Sequence, residues 1–118
     1  MTSIHTPKRV FDVDLFESAA KAAGITLEWW DDGESLNPGY IVNREGDWVS
    51  WDPLTNDGDA LRLAVKLEIN ILPTMEEASA RNPSHTGWIN EDAARDPYAA
   101  TRLAITRAAA EIGRRMES

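Results

Sequence analysis

Two adjacent tryptophans, Trp29 and Trp30, end a run in which Ile25, Leu27 and Trp29 alternate with Thr26, Glu28 and Trp30. A period of two is that of a β-strand, where successive side chains point to opposite faces of the sheet. Trp29 and Trp30 therefore cannot enter one core together. If Ile25, Leu27 and Trp29 face a packed interior, Trp30 stands on the other face with Thr26 and Glu28. The chain must then supply a second cover for that face or leave a large aromatic ring on the surface.

The neighbouring segments predict what surrounds this strand. Residues 14–23 have helical spacing, with Leu15, Phe16, Ala19, Ala20 and Ala23 on one stripe, Asp14 as N-cap and Gly24 as the stop. Asp31-Asp32-Gly33 turns the chain after the strand. A second strand is expected over 40–43, entered through Asn37-Pro38-Gly39 and left through Glu45-Gly46-Asp47, and a third over 48–51. Trp48 and Trp51 lie three apart and so point to opposite sides. Short connections make the three strands an antiparallel meander, a sheet type that commonly keeps one face accessible.

A helix over 57–69 follows, capped by Asn56 or Thr55, with Asp57 and Asp59 in a first turn where carboxylates are favoured. Ala60, Leu61, Ala64, Val65 and Leu67 are its expected apolar side, packed on the sheet. Residues 73–92 read as an irregular excursion, although Ile69, Ile71 and Leu72 can open a fourth strand and Trp88-Ile89 can belong to a fifth. Asp96-Pro97 is an N-cap followed by proline at the first helical position. It opens a helix to about Met116, with Tyr98, Ile105, Ala108, Ala109, Ile112 and Met116 inward and Arg102, Arg107 and Arg114 toward solvent. The expectation is one α+β domain over 1–118, residues 1–10 being mobile. A three- to five-stranded, mostly antiparallel sheet packs with three helices in the order α-β-β-β-α-(β)-α.

Charge narrows the kind of work such a domain can do. The chain of 118 residues carries a net charge of −8, and residues 11–59 alone hold twelve acids against two bases. An acidic surface repels phosphate, which argues against direct nucleic-acid binding. No cysteine is present, so disulfides, thiolate nucleophiles and Cys metal sites are excluded. No apolar run approaches a membrane span, and no apolar block follows Lys8 and Arg9 as a secretory leader would require. A cytosolic location is expected.

Catalytic and metal motifs are weak. Asp57-Gly58-Asp59 with Asp52 and Asn56 resembles a cation loop, but a calcium-type loop would need oxygen ligands at Pro53 and Thr55 and a bidentate carboxylate at Ala64. Asp12 and Asp14 have no partners for an acid/base pair, and His5 and His85 have no second imidazole at ligand spacing. The glycines form no phosphate-cradling pattern. No catalytic residue, cofactor or metal is assigned. The alternatives left open are a metal-assisted enzyme using Asp52, Asp57 and Asp59 with His85, and a self-assembling homo-oligomeric component.

The leading candidate is a partner-binding face built from Trp30, Asp31, Asp32, Glu34, Asp47 and Trp48. Tryptophan is enriched among interface hot spots, and carboxylates around it favour a basic protein surface. The segments WDPLTNDGDALRLAVKL at 51–67 and DPYAATRLAITRAAAEIG at 96–113 resemble a group of small hypothetical proteins encoded by bacteriophages and prophages of proteobacteria. The resemblance implies a phage genetic context and a compact α/β sandwich-like domain. It implies no activity and no site residues. Together these readings predict a non-enzymatic accessory protein that binds a host or phage protein, one version being a nucleic-acid mimic that blocks a host factor such as a defence complex.

Overall fold

The computed structural model describes residues 13–116; the expectations for residues 1–10, His5 and Asp12 lie outside them. The element order is α1 (Val13–Ala23), β1 (Glu28–Asp31), β2 (Leu36–Ile41), β3 (Trp48–Ser50), α2 (Asp57–Lys66), β4 (Asn70–Pro73), β5 (Glu77–Arg81), β6 (Ile89–Asp92) and α3 (Pro97–Met116). Among the described residues this is an α+β fold with antiparallel strands and three helices, as the sequence predicts. The strands divide into two sheets of three, β1-β2-β3 (sheet A) and β4-β5-β6 (sheet B), each a meander.

The helical frame is α1 laid on α3. Phe16, Ala19, Ala20 and Ala23 of α1 are buried on the predicted stripe, facing a core that includes Ala104, Ala108, Ala109 and Ala110 of α3. Small side chains let the two backbones approach closely. At Gly113 the approach is so tight that a Cβ would lie 1.8 Å from the Ser18 carbonyl oxygen. Gly24, at φ +73°, ends α1 in a conformation that L side chains avoid. Asp14, expected as the cap, sits inside the first turn because the helix already begins at Val13.

Sheet A joins this frame through aromatic edges. The Phe16 ring, fully buried, meets Trp29 at 5.8 Å and Trp51 at 6.1 Å, both edge-on. Aromatic pairs at these separations add about 0.5–1.5 kcal/mol each beyond their burial. Exposure alternates from Ile25 to Trp30 as the sequence predicts, although ladder pairing is confined to Glu28–Asp31.

β2 departs from the sequence expectation. Asn37-Pro38-Gly39 is not its entry turn but lies within it, in the centre of the sheet. Proline is tolerated there because its carbonyl accepts from the Trp51 amide at 2.9 Å, toward β3. The N–H that proline lacks would point the same way, beyond Ser50, where β3 has already ended. The turn read as an entrance is instead the tighter Asp32–Ser35 bend.

α2 starts where predicted. Asn56 has extended backbone and its side chain accepts from the Asp59 amide at 2.9 Å. Its buried side is Ala60, Leu63 and Ala64, whereas Leu61 and Val65 are exposed, one position off the line that faces inward. The helix ends at Lys66, short of Ile69, and its main packing partner is α3 in place of the expected sheet. Arg102 of α3, expected in solvent, is largely covered: its Nε donates to the Leu54 carbonyl at 2.8 Å and its Nη1 to Asp57 Oδ1 at 2.6 Å. Tyr98 and Met116, expected inward, are exposed because they flank the segment of α3 that other elements cover.

The irregular excursion expected over 73–92 is sheet B. Its central strand, Glu77-Ala78-Ser79-Ala80-Arg81, lacks the branched and aromatic residues that mark strands in sequence. Ala78 and Ala80 are fully buried on the side that packs against α3. Here the strand forms because small residues let the long helix sit on it.

Candidate functional site

Strand parity divides sheet A into two faces. Trp29, Pro38 and Tyr40 share the inner face, while Glu28, Trp30, Asn37, Gly39, Ile41, Trp48 and Ser50 share the outer one. Trp30 is 57% exposed. It stands opposite Asn37, whereas Trp48 stands opposite Ile41, four residues farther along β2. At a rise of ~3.3 Å per residue those positions are ~13 Å apart. Yet the two indoles touch, with centroids 5.8 Å apart and planes at 67°.

Gly39 makes the contact possible. It lies between the two positions on β2, and a Cβ there would come within 2.3 Å of Cε2 and Cζ2 of Trp48. With only hydrogen at this point the Trp48 indole lies down across the central strand and reaches Trp30. Its Nε1 is buried by this posture and has no acceptor among the described residues, so the packing gain must exceed a desolvation cost of about 1–3 kcal/mol.

An open depression of about 370 Å³ lies at this contact, lined by Trp30, Asp32, Asn37 and Trp48. Asp32 is held by the turn itself: its Oδ1 accepts from the amides of Glu34 at 2.8 Å and Ser35 at 2.9 Å. These two backbone donors, the Glu34 amide first, hold the carboxyl below its ordinary value of 3.8, because they favour its charged form. Asn37 Nδ2 reaches Asp32 Oδ2 and the Trp30 carbonyl, both at 3.2 Å, tying the turn to both strands.

Of the six residues named from sequence, Trp30, Asp32 and Trp48 thus come together. Asp31 ends β1 with inner-face parity and accepts from the Gly33 amide at 2.8 Å. Glu34 is exposed in the β1–β2 turn. Asp47 lies in the β2–β3 turn, at the opposite end of the meander, and is bound to Asn43 Nδ2 at 2.7 Å. Carboxylates therefore stand in the turns at both ends of the sheet, Asp32 and Glu34 at one and Asp47 at the other, while Asp31 has the parity of the inner face. Asn37 and Gly39 were missed as site residues because Asn-Pro-Gly is a turn signature; carrying the period of two backward from Tyr40 puts both on the Trp30 face.

The residues of the metal alternative have other engagements. Asp59 accepts from the Asp52 amide at 2.9 Å and from Arg62 at 2.7 Å. Asp52 Oδ1 accepts from the amides of Leu54 and Thr55 at the turn, and Asp57 pairs with Arg102. His85 is exposed in the β5–β6 connection. Among the described residues no three His, Cys, Asp or Glu side chains are grouped as a metal would require.

Elsewhere on the surface several arginines pair with carboxylates. A cleft of about 730 Å³ beside α1 and α3 includes Arg107 and Arg114, which pair with Glu91 at 2.6 Å and Glu111 at 3.7 Å. On sheet B the Arg81 guanidinium stacks over the Trp88 ring at 4.6 Å. Among the described residues no helix is long and apolar enough to cross a membrane. Neither a protein-family model, nor a curated protein, nor a solved structure matches the chain.

Proposed function

We propose that the protein is a non-enzymatic binding module that engages a basic protein surface through the outer face of sheet A. The observation that carries this reading is the Trp30–Trp48 pair, an aromatic platform on an open sheet face with carboxylates at both ends. Indoles supply the desolvated anchor of an interface, and the acids supply steering toward positive charge. The same acids disfavour nucleic acid as the partner. A basic nucleic-acid-binding protein of the host, or a phage protein of similar charge, is the partner class that fits. The phage or prophage setting, and with it action in the bacterial cytoplasm, rests on the resemblance of residues 51–67 and 96–113.

The test is affinity capture from a bacterial lysate at low and at high salt, with three baits: the native protein, Trp30→Ala, and the charge reversal Asp31→Lys, Asp32→Lys, Asp47→Lys. A basic partner captured at low salt, lost at high salt and lost with either variant supports the reading. Undiminished capture by both variants sinks it. Recovery only of further copies of the bait would move the face from partner binding to self-assembly.

A further inference from the structure

We propose that the depression between Trp30 and Trp48 is a receptor for one arginine side chain of the partner. This inference rests on the protein-binding reading of the same face and names the group that it recognises. Two indoles meeting at 67° present a corner of π surface, and an indole is the most favourable side chain for attracting a cation over its face. The wall beside them is a carboxylate, Asp32, and an amide, Asn37. Among the described residues no lysine or arginine lines the depression.

Sheet B makes the contrast within the same molecule. There an indole, Trp88, is covered by the chain's own guanidinium, Arg81. Trp30 has the larger exposure of the two, and among the described residues no cation lines its site.

Acceptor geometry favours arginine over lysine. Asp32 Oδ1 is saturated by the Glu34 and Ser35 amides, which fix the carboxylate in place. Among the described residues Oδ2 takes a long contact, 3.2 Å, from Asn37, and Asn37 Oδ1 receives the Ser35 hydroxyl at 3.5 Å. Both oxygens retain lone pairs beside the Trp30 ring. A planar guanidinium can stack on the indole and direct its edge N–H groups to these acceptors at once. An ammonium is a strongly hydrated point charge and gives up more water to do the same. Asp32 stays ionised through the neutral range, since its turn holds its pKa down.

The experiment follows the indole Nε1–H resonances of Trp30 and Trp48 by NMR during titration with a short Gly/Arg peptide. Parallel titrations use the same peptide with citrulline, or with lysine, in place of arginine. Citrulline keeps the shape and removes the charge. The expected result is a saturable shift at both indoles with the arginine peptide, with affinity about tenfold weaker for citrulline and lower for lysine. Asp32→Asn and Trp30→Ala should each weaken arginine binding about fivefold or more, measured at a temperature where both variants are fully folded. Equal binding of the citrulline peptide, tighter binding of the lysine peptide, or undiminished binding in Trp30→Ala would overturn the proposal. If the peptide fails but the charge-reversed bait still loses its partner, the arginine site falls and the acidic docking surface stands.

Discussion

Sheets A and B have the same topology, three antiparallel strands in sequence order, and opposite compositions where it matters. The central strand of sheet B carries small residues: Ala78 and Ala80 let α3 rest on β5, with Ile71 and Ile89 packed on the neighbouring strands. Sheet A is held by large ones, Trp29 and the adjoining Trp51 gripping Phe16 on its inner side. A helix that lies close covers a strand evenly. Aromatic edges instead attach a sheet at a few points and leave the far face open. The same meander therefore serves as scaffold in one half and as a displayed surface in the other.

The contrast is broken most severely at Phe16. Phe16→Ala should cost about 3–5 kcal/mol, and hydrogen exchange should show sheet A losing protection before sheet B, because the missing ring is the grip on Trp29 and Trp51. Equal loss in both sheets would mean that the two halves are one cooperative unit. Overpacking the other half tests the small-residue account: Ala80→Leu pushes β5 off α3 and should cost about 3 kcal/mol by chemical denaturation, the upper end for an overfilled core.

Gly39→Ala should cost about 2–3 kcal/mol, because its Cβ would meet the Val49 carbonyl oxygen as well as the Trp48 ring, but its more telling effect is optical. The Trp48 ring must rise from the sheet, so exciton coupling between Trp30 and Trp48 in circular dichroism should fall while the core Phe16–Trp29 contact is retained. The smallest effect is at Asp32. Its pKa is lower in the folded chain than in the unfolded one, so its stabilisation is present above the ordinary value of 3.8 and is lost as pH falls through the folded value. Asp32→Asn should therefore melt below the native protein at neutral pH, and the gap should close on acidification. A gap that does not change with pH would remove the turn carboxylate from the account of this face.

Much of the helical architecture was legible before any coordinates. The Asp96-Pro97 start, the Asn56 cap and the Gly24 stop are local chemistry: a side-chain oxygen for a free amide, a ring that already has helical φ, a residue that accepts φ +73°. The opposite placement of Trp29 and Trp30 was also legible, since it follows from pleating alone. Sheet B was not. Glu-Ala-Ser-Ala-Arg carries no strand preference, and β5 exists because α3 needs a flat neighbour. Arg102 was misplaced for a related reason: a guanidinium reads as solvent-facing until the Leu54 carbonyl and Asp57 are folded against it.

Residue order by itself determined the periods, the caps, the acidity of residues 11–59 and the necessity that one of two adjacent indoles leave the core, because each depends only on near neighbours or on counting. Tertiary structure alone decided that Asn37-Pro38-Gly39 is a central strand and not a turn. It also decided that Trp48 crosses the bare backbone of Gly39 to meet Trp30, and that Asp32 and not Asp47 shares their depression. Those outcomes depend on which strand ends first and where a Cβ is missing beneath a ring, contacts between positions that sequence spacing does not bring together.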